Sequence, residues 1–590
     1  MLWLERGGDL TCAPDSNVNI WGGNSPDTLD DYGRSHYLVF SEDNLLANAV
    51  HISSEEEFAR YSEIDDTCIV IDSDLTLTRS YWVTASVYIP EGVTLDAPCP
   101  NPGRSEGSCT LEMGEDTRLV NHGTIKGRLS LHCRNDEQGQ SNPSCFINYG
   151  AVDASLWTEL STIINLGDIT AMEIMNQTAM ANLGSLTVNG PLEMRGNWSD
   201  NAGTITVGRD GELILYGGTG WNNFGGIAVE DGGKLRNYAQ INLNAGSLTV
   251  RGGGALHNFG LLWDVGSIQN DPRAELINSG VVVDGGSLGL DGDIFQGSGR
   301  VLPRNYDSDR TRHVSSESEL RAALADDRCD LVVWNGYEPG RKINLNGGPL
   351  EVTKGLVLEG DRDNRPEFNS GGLTLSGENA FFIGNNVDFC GNALHIDGGA
   401  VLLDGDTLNP GGDIAVENGG LLCLTGGSSM PNPGQLNLRS GGQFILSGSI
   451  ELGQCAVTVE QDSALRIYGS LGLSASSMVN DGTVECYFGD LYQMDGFSLV
   501  NNGELRLIGW QEMMALGDAT NHGEIHVTGQ RIEGTLVNEE DGTIILEWED
   551  ETLRVSGRLD NRGTIRGARG AYIETVDGGS FTGNPVTYGE

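Results

Sequence analysis

The chain has 590 residues, among them 85 Gly and 17 Pro, and carries 35 Lys plus Arg against 83 Asp plus Glu, a formal net charge of -48. That charge disfavours nucleic acid and anionic membrane as partners. Without a Gly-X-Y period the glycine is not collagenous, and no apolar run reaches the roughly eighteen residues of a membrane-spanning helix.

Residues 1–46 mix Gly, Asp, Ser and scattered aromatics without a period and are expected to form an irregular segment along the first coils. MLWLERGGDL shows no signal-peptide pattern and GNPVTYGE no surface-anchor motif. The first clear element begins at His51. Ser53 and Ser54 precede Glu56 and Glu57 at capping-box spacing, with Phe58 and Tyr61 following, which predicts a short amphipathic helix. CIVIDSDLTL and VYIPEGVTL then read as strands. Of eleven cysteines, Cys99 with Cys109 and Cys133 with Cys145 bracket polar segments rich in Gly, Pro, Ser or Asn. Each pair is expected to be a disulfide closing a loop at its neck, which favours an oxidising, extracellular setting. Neither has CxxC spacing, so zinc is the weaker reading for them.

An asparagine beat follows: Asn121, Asn148, Asn165, Asn182, Asn201, Asn223, Asn237, Asn258 and Asn278. Around the last three the unit is apolar-x-Asn-x-small-x-apolar, where the small residue is Ala239, Gly260 or Gly280, and it returns after 21 and then 20 residues. A fixed return of this length predicts a solenoid of stacked coils. Strand parity puts each Asn in the inward phase, where amides of successive coils can bond in a column. The residue two places on is expected to be Gly for the unusual backbone angles of a tight turn.

HVSSESELRAAL repeats the module HISSEEEFARYS, so a second cap is predicted at Ser315–Leu324 and a second solenoid after it. The predicted organisation is an irregular segment 1–46, a first β-helix 47–300, a linker 301–312 and a second β-helix 313–590. In the second, DGGAVLLDG, NGGLLCLTG, SGGQFILSG and QDSALRIYG return every 21, 22 and 21 residues, and the beat resumes at Asn480, Asn501, Asn521, Asn538 and Asn561. The fold class is therefore all-β: two tandem right-handed parallel β-helices, each with a short N-terminal capping helix. Stacked about 4.8 Å per coil, they are expected as two rods of roughly 55–60 Å laid end to end.

The SSExEL-type cap followed by LVL-type strands, together with the Asn-x-Gly coils, resembles the right-handed parallel β-helix (pectate-lyase-like) superfamily, and within it bacterial secreted, adhesin-like β-solenoid proteins. The resemblance covers about residues 47–300 and 313–590. It implies a secreted or cell-surface protein on a fold that hosts lyases, hydrolases, phage spikes and adhesins alike.

For chemistry, the NTD, DD and GHG carboxylate motifs of pectin-cleaving members are missing as a set, and no WIDH-like lyase motif occurs. The best constellation is an outward column in the second solenoid. Asp397, Glu417, Arg439 and Glu460 form one row beside His395, Asn437 and Thr458. Such a row can bind a cation or an acidic sugar, or do acid–base work; cross-strand ion pairs on a solvated face are the commoner meaning. Trp157, Trp198, Trp221 and Trp263 fall at corners or in outward phases, where Trp either stacks on sugar or covers a corner. GGSLGLDGD (285–293) is similar to a single calcium-roll unit, so no cofactor is expected and calcium is the alternative. The sequence thus favours a non-catalytic, extracellular, adhesin-like scaffold with a glycan or host-surface ligand. A polysaccharide lyase or glycoside hydrolase working on an acidic polysaccharide is the rival.

Overall fold

A computed structural model describes residues 18–22, 35–39, 45–47 and 49–588, apart from loop segments of which the longest are 98–110, 133–144, 285–293, 335–341 and 360–366. The N-terminal segment differs from expectation: Val18–Gly22 and Ser35–Val39 pair as antiparallel strands. Among the described residues no helix is long and apolar enough to cross a membrane.

Both capping helices form where the capping boxes place them. In Glu55–Tyr61 the Ser54 hydroxyl accepts the Glu57 N–H at 3.3 Å. The Glu57 carboxylate in turn accepts the Ser53 N–H at 2.9 Å, which holds its pKa below the usual range. In Glu317–Leu324 the Ser316 hydroxyl and the Glu319 carboxylate repeat both bonds. Phe58 plugs the first core, and Leu320 with Ala323 plugs the second. An open solenoid end exposes apolar side chains and a strand edge, and these residues cover it.

Behind each cap, strands stack in parallel. The first solenoid has a thirteen-stranded sheet from Val50–Ile52 to Arg300–Pro303. The second has a fourteen-stranded and a twelve-stranded sheet. In the first, the nine-residue strands Thr124–His132, Ala151–Glu159 and Asp168–Asn176 bend round a corner and fuse two further faces.

The Asn residues are the inner hinges of the coils. Asn121, Asn148, Asn165, Asn182, Asn201 and Asn223 stand in register on consecutive strands. Each Nδ2 donates to the Oδ1 of the next at 2.6–2.8 Å. A second column, Asn237, Asn258 and Asn278, lies on another face, so the ladder changes corner after Asn223. The third runs from Asn480 through Asn501, Asn521 and Asn538 to Asn561. The other amide hydrogen of most rungs goes to a backbone carbonyl, as Asn121 does to Ala151. Buried amides are costly unless bonded in this way.

The glycine after each Asn has a different cause from the one expected. Gly150, Gly167, Gly184 and Gly203 do not have positive φ. Instead, a Cβ on Gly184 would collide with the carbonyl oxygen of Gly167, and the same holds along the column. The corners stack too closely for any side chain. Left-handed backbone is used elsewhere, at Asn418 (φ 54°) and Gly419 (φ 74°) in the NGG turn.

The two solenoids are not laid end to end. Leu261, Trp263, Val281 and Val283 of the first pack against Val333, Val357, Ile383, Leu402, Cys423 and Ile445 of the second in one buried cluster. Strands with continuous apolar runs, VVVD, LVVW, AVLLD and LLCLT, are buried on both faces for this reason. Tyr238 lies 5.1 Å from Tyr468 and 5.6 Å from Tyr487, ring to ring, while Gln240 donates to Asp404 at 3.1 Å. Ala400–Asp404 is three strands before Ala464–Ile467 in the fourteen-stranded sheet. A short stretch of the first sheet therefore runs across the strands of the second, the arrangement of crossed sheets. The connecting segment is pinned to the seam. Arg304 lies over Trp263 and Tyr306, and both Arg304 and the Tyr306 hydroxyl reach Glu359.

The expected Cys133–Cys145 staple is corrected at Cys145, which is a free, buried thiol. It faces outward on its strand and packs with Val120, Ile147 and Ile164 under Leu45 and Tyr88. Burial pushes the thiol up to about 12, the behaviour of a small hydrophobe. Cys99, Cys109 and Cys133 lie outside the described residues, as does the 285–293 segment.

Candidate functional site

Pairing on the twelve-stranded sheet puts His395, Ala415, Asn437 and Thr458 in one column and Asp397 beside Glu417 in the next. The side chains pair off between neighbouring coils. His395 Nε2 lies 2.6 Å from Glu417 Oε1, Asn418 donates to Asp397 at 2.7 Å, and Arg439 Nε stands 3.4 Å from Glu460 Oε1. The five residues do not converge on one point, and the ionic partners keep between a quarter and a half of their side-chain surface in water. Exposed pairs of this kind contribute at most about 1 kcal/mol.

Of the four tryptophans singled out, Trp221 and Trp263 offer no sugar platform. Trp221 is 2% exposed within the first core, and Trp263 is buried in the seam. Trp198 and the Trp157 side chain lie outside the described residues.

A tighter cluster lies further along the fourteen-stranded sheet, beyond the seam. Glu504 pairs with Glu524 and Arg506 with His526 across adjacent strands, Glu504–Ile508 and Glu524–Val527. Period-two alternation points all four outward. His526 is only 9% exposed. Its Nδ1 bonds the carboxylate of Glu547 from the following coil. Its Nε2 lies 3.4 Å from Glu504 Oε1 and 3.6 Å from Glu524 Oε2, buried and without a hydrogen bond. One ligand atom each from Glu504, Glu524 and His526 falls within 4.8 Å of the others. Arg506 Nε contacts Glu504 Oε1 at 2.6 Å. Burial works against the Arg506 charge, yet the Glu504 carboxylate and the Tyr487 hydroxyl together hold its pKa above the ordinary value. The donor set, two carboxylates and an imidazole whose far nitrogen is fixed by a third carboxylate, is of a kind that could hold a metal ion.

Sequence reasoning missed this cluster. Its residues sit about twenty positions apart, in EIHV and ELRLI stretches that look like ordinary strands. The available signal was an E-x-H stacked one period after an E-x-R.

The chain is similar to the deoxyribonuclease CdiA of Dickeya dadantii (strain 3937), at 24% identity over 324 residues. The match covers 48% of this chain and 10% of that protein, so the chain spans about a tenth of the relative's length. No family model and no solved structure matches the chain.

Proposed function

We propose that this chain is a rigid, non-catalytic structural segment of an extracellular bacterial surface protein, which holds an acidic face toward a glycan or another host-surface ligand. One observation carries the reading. The polar side chains of the predicted row are consumed in pairs between coils, His395 with Glu417 and Arg439 with Glu460, and keep between a quarter and a half of their surface in water. Hydrolases and lyases need carboxylates or a base converging on one bond. The partial similarity to a much larger deoxyribonuclease fits a chain that serves as one segment of a long protein. Its net charge of -48 argues against DNA as its own substrate.

The test combines a glycan array with a cleavage assay on pectin and alginate. The reading expects array binding, or none, without new chain ends. Turnover of either polyuronide that disappears in Glu417→Gln would refute it in favour of the lyase or hydrolase.

A further inference from the structure

We propose that Glu504, Glu524 and His526 bind a divalent transition-metal ion of the zinc type, held in orientation by Glu547. The argument begins with the imidazole. Its Nδ1 faces the Glu547 carboxylate, which accepts a proton from it and never donates one when ionised. In the neutral ring the proton is therefore on Nδ1, and Nε2 presents a lone pair. That lone pair is buried, makes no hydrogen bond, and points between two carboxylate oxygens at 3.4 and 3.6 Å. Lone-pair donors facing one another repel unless a cation lies near them, and Arg506 already reaches the Glu504 oxygen of the three.

Charge and donor type agree on which cation. Glu504, Glu524 and Glu547 supply three negative charges, and Arg506, bound to Glu504, returns one positive. The remaining two are matched by a divalent ion. Glu504 and Glu524 stand directly opposite on neighbouring strands, a like-charge pairing that destabilises a sheet on its own. One nitrogen and two oxygens suit zinc and its first-row neighbours, whereas calcium takes six to eight oxygens and magnesium prefers oxygen and water. The carboxylate on the far imidazole nitrogen is the usual partner of a metal-bound histidine. The ligands come from strands of a stacked sheet, so the site is rigid before the ion arrives.

The test is calorimetric titration of the chelator-treated full chain with zinc chloride. Wild type is expected to show a site whose affinity falls at least tenfold in Glu524→Gln and roughly ten- to a hundredfold in Glu547→Gln, and is unchanged in Glu351→Gln, an exposed position of the twelve-stranded sheet. Both decisive side chains are partly exposed, so their replacement spares the core. Cobalt in place of zinc is expected to give visible absorption bands that Glu524→Gln weakens. Zinc isotherms identical in wild type, Glu524→Gln and Glu547→Gln would overturn the proposal.

Discussion

A single asparagine in this fold is judged by its two neighbours. An interior rung both donates and accepts, as Asn501 does between Asn480 and Asn521. At the start of a column no rung precedes, and the acceptor is left over. Asn121 and Asn480 open their columns, and their Oδ1 atoms are buried without a partner. Asn237, which opens the middle column, escapes because its Oδ1 takes the N–H of Ala239 at 3.1 Å. An orphaned buried polar group costs about 1–3 kcal/mol. Asn501→Ala strands a donor on Asn480 and an acceptor on Asn521, and is expected to destabilise the second solenoid by roughly 2–4 kcal/mol. Asn480→Ala strands one acceptor while removing another, and is expected to cost only about 1 kcal/mol. Equal losses in denaturant unfolding of the two variants would show that the ladder does not work as a chain of bonds. The columns were legible in the sequence because each rung repeats the same residue at the same phase. The corner glycines were legible as positions but not as causes: close stacking of carbonyls, rather than backbone angle, excludes a side chain at Gly167 and Gly184.

At the scale of elements, the capping helices were readable because their signals are local: Ser54 with Glu57, and Ser316 with Glu319. The seam was only half readable. AVLLD and LLCLT announce burial on two faces, but nothing within them says that the second face meets Trp263 and Val283 some 140 residues earlier. The Glu504, Glu524 and His526 cluster was hidden for a similar reason, since these look like ordinary outward polar residues until their strands are stacked. The seam is separable from the cores. Val357, Ile383 and Leu402 point away from the second core, where Leu356, Phe382 and Val401 point in. Ile383→Asp places an unpaired charge in the seam and is expected to loosen the two solenoids from each other while each keeps its strands. Hydrogen exchange checks this. The expected result is faster exchange confined to the two facing sheets, and collapse of protection throughout both cores would contradict it.

For the whole molecule, two ladders of parallel strands have been folded so that one sheet of each faces the other. The rod-like dimension of each solenoid survives, but their sum does not. Thirteen and fourteen strands stacked at about 4.8 Å give each solenoid a length of roughly 60–65 Å. The chain carries a formal charge of -48, and apolar side chains such as Leu166, Leu183 and Tyr572 still reach its surface outside the seam and the cores. Rigidity then has two sources, hydrogen bonding along each axis and side-chain packing between the axes. The most direct measurement is small-angle X-ray scattering from the monomeric chain. Crossed solenoids joined through Tyr238, Trp263, Ile383 and Tyr468 predict a maximum dimension of about 90–100 Å and a cross-section two solenoids wide. A thin rod of about 130 Å or more, one solenoid wide, would contradict it.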